Sequence, residues 1–316
     1  MSENRSATLN ASANPPTAPP GVPPVAPEPR RSPAGGVLLV VGIVLGGLLV
    51  AWGALHLVDW ATSSTTTTHE SYPADGPVEL VADGEVTVRA ADDVTGVEVD
   101  AVARGGLATP DYAARTDGDA LVVDHRCPAW TWFSWTCAGE LHAVLPAGTE
   151  VTVRSSNGDV RASGPVGDLD LRSSNGDVEA ADLTGDLTAT SSNGDVDVTR
   201  VAGDVDVESS NGRVDVVEVG GGAVAESSNG DVEVRDVGGD ADARSSNGDV
   251  DVAGAGGDVF ARTSNGDATV VGDGEAVALT IDTSNGEEII EGPTDPEALR
   301  TVEIHSSNGD VAYLAP

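Results

Sequence analysis

Two hydrophobic patterns divide the chain. From Gly35 to Val58 the stretch "GGVLLVVGIVLGGLLVAWGALHLV" runs 24 residues without a formal charge. At about 1.5 Å per residue such a helix spans a hydrocarbon layer of about 30 Å with some tilt, so a transmembrane helix is predicted over 35–58. From about residue 75 apolar and polar positions alternate instead, as in "PVELVA", "EVTVRA", "GVEVDAVA", "ALVVDH" and "ELHAVL". That is the period of half-buried β-strands.

The alternation then becomes a repeat. "SSNGDV" at 155–160 returns at 173, 191, 227, 245 and 306, with variants at 209, 263 and 283. Asn157, Asn175, Asn193, Asn211, Asn229, Asn247 and Asn265 stand 18 residues apart, after which Asn285 follows by 20 and Asn308 by 23. Asn-Gly between alternating apolar residues signals a hairpin. A meander of hairpins, however, sets equivalent residues two strands or about 9.5 Å apart and demands no fixed period. In a solenoid equivalent residues stack about 4.8 Å apart, and an inserted residue breaks every ladder, which explains a strict register.

The columns agree with stacking. One reads Val160, Val178, Val196, Val214, Val232, Val250, Ala268; a second runs from Ala162 to Val270; a third reads Leu169, Leu187, Val205, Ala223, Ala241, Val259. These slim side chains suit a narrow core. The expected fold is all-β: a parallel β-solenoid of 18-residue coils with two short strands each, over 155–316 and irregular after 268. A strand-rich capping module over 75–154 precedes it, and one transmembrane helix lies at the N-terminus. The seven asparagines from Asn157 to Asn265 are expected to form an amide ladder at a coil corner, with the following Gly permitting the bend. Asp159, Asp177 and Asp195 then stack like charges, and Arg213 is expected to relieve them by pairing with Asp195 and Asp231.

Known repeat chemistries do not fit the letters. Left-handed hexapeptide coils also have 18 residues but need an aliphatic side chain every six, and counting from Val160 gives Val166 and then Arg172. The calcium-binding nonapeptide wants one residue between Gly and Asp, whereas Asp159 directly follows Gly158. Calcium at the corners is therefore open but not encoded by that motif, and no cofactor is expected.

Charge narrows the partners. The chain has 52 acids, 16 bases and 3% aromatic residues. Residues 1–61 hold three acids and three arginines, so 49 acids and 13 arginines remain for residues 62–316, which carry the whole net charge of -36. Such a surface repels nucleic acid and anionic lipid. Solubility is its plainer use, and gathering of divalent cations the sharper one.

The flanks set the topology. Residues 1–34 are Pro-rich and expected to be a disordered tail. Arg30 and Arg31 before the span and Asp59 after it put the N-terminus in the cytoplasm and the rest outside the cell membrane. A cleaved signal peptide would need a shorter charged region and a shorter apolar run. Gly42 and Gly46 form a G-x-x-x-G that could pair two copies in the membrane. Residues 59–74, with "ATSSTTTTHES", read as a polar tether.

Cys127 and Cys137 lie outside the membrane in this topology, so a structural disulfide closing "CPAWTWFSWTC" is expected. Trp130, Trp132, Phe133 and Trp135 within it either cover the apolar end of the first coil or form a binding patch for glycan, lipid or protein. No catalytic or metal-ligating constellation is visible: the five histidines are scattered, and no Ser-His-Asp spacing or P-loop occurs.

The strands ending in "LPAGTEVTVRSSNGDV" and the repeated S-N-G-D-V units resemble the bacterial "putative adhesin" family, domain of unknown function 4097, over roughly residues 75–316. The resemblance implies a β-solenoid surface protein whose relatives are named adhesins and are sometimes associated with envelope-stress systems. It brings no catalytic residues with it. The expectation is thus a membrane-anchored extracellular, non-enzymatic scaffold or binding module with an unidentified envelope glycan or protein ligand. An envelope-stress sensor, or a glycan-active enzyme on a β-helix, are the alternatives.

Overall fold

The computed structural model describes residues 33–128 and 136–316, so the tail expected over 1–34 lies almost wholly outside the described residues. Pro33–Thr62 is a helix of 30 residues, and its part Leu38–Thr62 is long and apolar enough to cross a membrane. Asp59, near the helix end, is buried: its carboxylate accepts hydrogen bonds from the Leu107 N–H and the Thr136 hydroxyl, both at 2.8 Å. A buried carboxylate persists only with such partners.

The segment read as a tether is largely a strand. Ser64–Pro73 pairs antiparallel with Gly96–Gly105 over ten residues, from Ser64 opposite Gly105 to Pro73 opposite Gly96. Its threonines are β-branched and suited to an extended backbone, and Gly96–Gly105 offered an open ladder edge.

With these two included, the strands of the described residues form two sheets of 13 and 12. Leaving out two antiparallel strands from the first sheet (Ser64–Pro73, Gly96–Gly105) and one from the second (Asp111–Asp117) leaves eleven parallel strands in each, hence eleven coils. One coil runs Leu169–Ser173 in the second sheet, turns at Ser-Asn-Gly-Asp, runs Val178–Leu183 in the first, and turns at Gly-Asp into the next coil. Leu169 lies opposite Leu187 and Val178 opposite Val196, an offset of 18 residues. The three apolar columns all face inward, and one hydrophobic cluster extends from Val78 to Tyr313.

Strands before residue 155 belong to these same sheets, but not in chain order. The coil Val78–Ala82 and Val86–Ala91 sits between the coil that starts the repeat (Val151–Ser155, Val160–Ser163) and the coil Ala120–Arg126 and Ala138–Pro146. The C-terminal end does the same: the last coil, Thr301–Ser306 and Val311–Leu314, lies inside Ala278–Thr283 and Glu288–Ile290. What looked irregular after residue 268 is a change in stacking order.

Cys127 and Cys137 are joined, closing the corner of the outermost N-terminal coil.

Candidate binding surface

The corner motif divides its work by position. The first serine is buried: the Ser191 hydroxyl donates to the Gly176 carbonyl one coil below at 3.0 Å and accepts the Gly194 N–H of its own turn at 3.0 Å. Thr263 and Thr283 replace serine in two copies and keep the donated bond, to Gly248 O at 2.8 Å and Gly309 O at 2.9 Å.

The asparagines form one column. Each side-chain amide after the first donates to the Asn below and to a Ser carbonyl below, as Asn193 does to Asn175 Oδ1 at 3.1 Å and Ser174 O at 2.8 Å. The column runs 157, 175, 193, 211, 229, 247, 265, then Asn308 and last Asn285, because the last two coils stack in reversed order.

Glycine is required for a different reason from the one expected. None of Gly176, Gly194, Gly212, Gly230, Gly248 and Gly266 has a left-handed φ. Instead the turns stack so closely that a Cβ on Gly194 would stand 2.2 Å from the Gly176 carbonyl oxygen. Close backbone approach, not bending freedom, keeps the column side-chain free.

The aspartates after glycine are also structural. Asp159 Oδ1 accepts the Asp177 N–H at 3.1 Å, Asp177 that of Asp195 at 2.9 Å, and Asp195 that of Arg213 at 2.8 Å. These charge-assisted bonds offset the like-charge stacking. Arg213 uses its backbone here, and its guanidinium reaches Glu233 and Asp215 rather than the two aspartates expected. At the other corner Asp168, Asp186, Asp204, Asp240 and Asp258 accept the next coil's N–H in the same way.

One further column was missed. Gly164, Asp182, Arg200, Glu218, Asp236 and Gly254 all have φ between 55° and 90°. This left-handed residue ends each regular run in the first sheet and returns Leu183, Val201, Val219, Val237 and Ala255 to the core. Glycine at 164 and 254 was the available signal.

The outer face of the first sheet stacks Glu179, Asp197, Asp215, Glu233 and Asp251 in direct register. Loss of water, and then neighbouring carboxylates, raise the pKa of Asp197 and Asp251. The second sheet stacks Asp170, Thr188, Asp206, Val224, Asp242, Phe260 and Glu303. Along it lies a groove of about 870 Å³ lined by Asp204, Asp206, Asp240, Asp242 and Phe260 among others. The Arg244 guanidinium covers the Phe260 ring at 5.0 Å, and His305 lies 6.0 Å from it. Burial raises the pKa of Asp242 against the opposing pull of Arg244.

Such a groove offers carboxylate acceptors beside one aromatic face, the chemistry that holds hydroxyl-bearing ligands. Among the described residues no group of three His, Cys, Asp or Glu converges to hold a metal ion. Trp130, Trp132, Phe133 and Trp135 lie outside the described residues. Gly42 and Gly46 are on the helix, with nothing within 4 Å of a Cβ built on either.

A two-faced parallel β-solenoid with stacked corner ladders is the class these observations define. The chain belongs to the Toastrack DUF4097 family, whose model matches residues 81–313. Among solved structures it is similar to a "putative adhesin" of Bacteroides fragilis (12% identity, 80% of this chain and 97% of that one, TM-score 0.39). It is similar too to a "putative lipid binding protein" of Parabacteroides distasonis (11%, 79% and 96%, TM-score 0.42). A "putative cell adhesion protein" of Clostridium sporogenes aligns at 11% identity over 80% of this chain and 100% of that chain, with TM-score 0.26. No curated protein matches the sequence.

Proposed function

We propose that this chain is a non-enzymatic, adhesin-like binding module, held at the cell membrane by its N-terminal helix with the solenoid outside. The carrying observation is the groove on the second sheet, where the outward column changes in character from coil to coil while the core beneath it stays aliphatic. Within it Phe260 stands beside Asp242 and Arg244, an aromatic face next to a carboxylate and a guanidinium. The groove presents carboxylate acceptors and an aromatic face, which suits recognition of a hydroxylated envelope ligand.

The test uses the full chain in detergent micelles, incubated with isolated cell-wall glycan, lipid vesicles and envelope extract. Retention on at least one is expected, reduced severalfold by Phe260→Ala with Asp242→Asn. No retention on any of the three would sink the proposal.

A further inference from the structure

The outer face of the second sheet changes character near the disulfide-bearing end. Arg126, Arg154 and Arg172 line a cavity of about 390 Å³ together with Ser156, Ser174 and Ser192, and among the described residues no carboxylate lines it. Arg154 and Arg172 stand directly opposite each other on neighbouring parallel strands, a placement that costs stability and that no packing need explains.

Their acidic partners sit outside the lining. Arg154 pairs with Glu79, Arg172 with Asp170 at 3.0 Å, and Arg126 with Asp124, which Arg115 also approaches at 4.0 Å. With Asp83, which acts on Arg126 through space, four guanidiniums meet four carboxylates, so this neighbourhood is balanced on a chain of net charge -36. Each guanidinium carries five donors, so these pairs leave several N–H groups for a ligand.

The same columns farther along make a control within the molecule. A cavity of about 220 Å³ there is lined by Arg244 and Arg262 but also by Glu208 and Glu226, and Arg244 is bound to Glu226 and Asp242. The first cavity's polar lining is hydroxyls and arginines, whereas the second's includes carboxylates.

We infer that the Arg126, Arg154 and Arg172 cavity binds an anionic glycan, its carboxylate or sulfate groups held by the guanidiniums and its hydroxyls by the serine row. Guanidiniums set beside a row of serine hydroxyls favour a hydroxylated anionic chain over an acidic peptide. At about 0.1 M salt, charges more than about 10 Å away are largely screened, so the acidic remainder does not cancel the local contacts. This inference rests on the binding-module reading and names a ligand class and a second site for it.

The experiment places the full chain in zwitterionic nanodiscs and titrates fluorescent oligogalacturonate, dextran sulfate and neutral dextran by anisotropy at 0.1 M salt. At least one anionic glycan should bind, neutral dextran should not, and Arg154→Gln with Arg172→Gln should weaken binding tenfold or more. Arg262→Gln, in the second cavity, should leave it unchanged. Circular dichroism melts confirm that the variants fold, and Arg172→Gln alone substitutes if the pair does not. Equal binding of neutral dextran, an equal loss in Arg262→Gln, or no anionic binding overturns the inference. If envelope material is retained while both anionic probes fail, only this inference falls; if nothing is retained, the binding-module reading falls too.

Discussion

The middle of the solenoid and its two ends meet different physical problems. In the middle each coil has a neighbour on both sides, so every corner serine, asparagine and aspartate finds its partner one coil away. At an end one side must meet water, and unpaired strand edges invite association. Both ends tuck the chain's first or last coil inside and expose a coil anchored by connections at both of its limits. Beyond that they differ. The N-terminal end adds antiparallel strands and a disulfide, whereas at the C-terminal end Ala278–Thr283 and Glu288–Ile290 are the outermost strands, with Ile289 and Ile290 exposed. Stacking alone therefore suffices for the interior, and the ends need separate devices.

The contrast is broken most severely by a change of register. Two residues inserted after Gly212 should abolish a cooperative melt, because every ladder through that corner is displaced. The same insertion after Gly274, in a connection between coils, should cost only a few degrees. Equal tolerance would refute stacking as the source of order.

A smaller loss tests the N-terminal device. Removing the disulfide by Cys127→Ser with Cys137→Ser should cost about 2–3 kcal/mol. Hydrogen exchange should rise at 120–126 and 138–146 but not at 196–219; a uniform rise would contradict an end-specific role.

In the interior, Ser191→Ala strands the Gly176 carbonyl and the Gly194 N–H in a buried corner, with an expected loss of about 1–3 kcal/mol in denaturant unfolding. Ser191→Thr should lose far less, since Thr263 fills the same place in another coil. A neutral Ser191→Ala would show that the hydroxyl column contributes nothing.

Mild acid should separate the two regions most gently. His125, buried in the outer N-terminal coil, has its pKa lowered from 6.5 by burial, against its bond to Glu140 O. Its neutral ring contributes stability above 6.5 that is lost as pH falls below that value. Asp197 and Asp251 in the interior have pKa values raised above 3.8, so their ionisation opposes folding and stability returns as pH falls through the raised values. Between pH 7 and 5, exchange should quicken at 120–126 while 196–252 is unchanged or slower, and the reverse ranking would contradict this assignment.

Much of this architecture was legible because a solenoid turns sequence distance into spatial distance. Val160, Val178 and Val196 announced an inward column, and the constant 18 announced stacking. The left-handed column was not legible from Asp182, Arg200, Glu218 and Asp236, whose side chains share no property that requires such a φ. The arginine cavity was hidden too, since Arg126 and Arg172 are 46 positions apart and meet only through coils stacked out of chain order.

Local alternation and a fixed period suffice for the all-β coil, its core columns and its corners, because those depend on contacts that recur at one separation. The order of the end coils, the strand at Ser64–Pro73, the use of glycine for close approach and the shape of the grooves came only with the assembled sheets. Each of these depends on which edges are left unpaired, and an edge exists only once the neighbouring strands are in place.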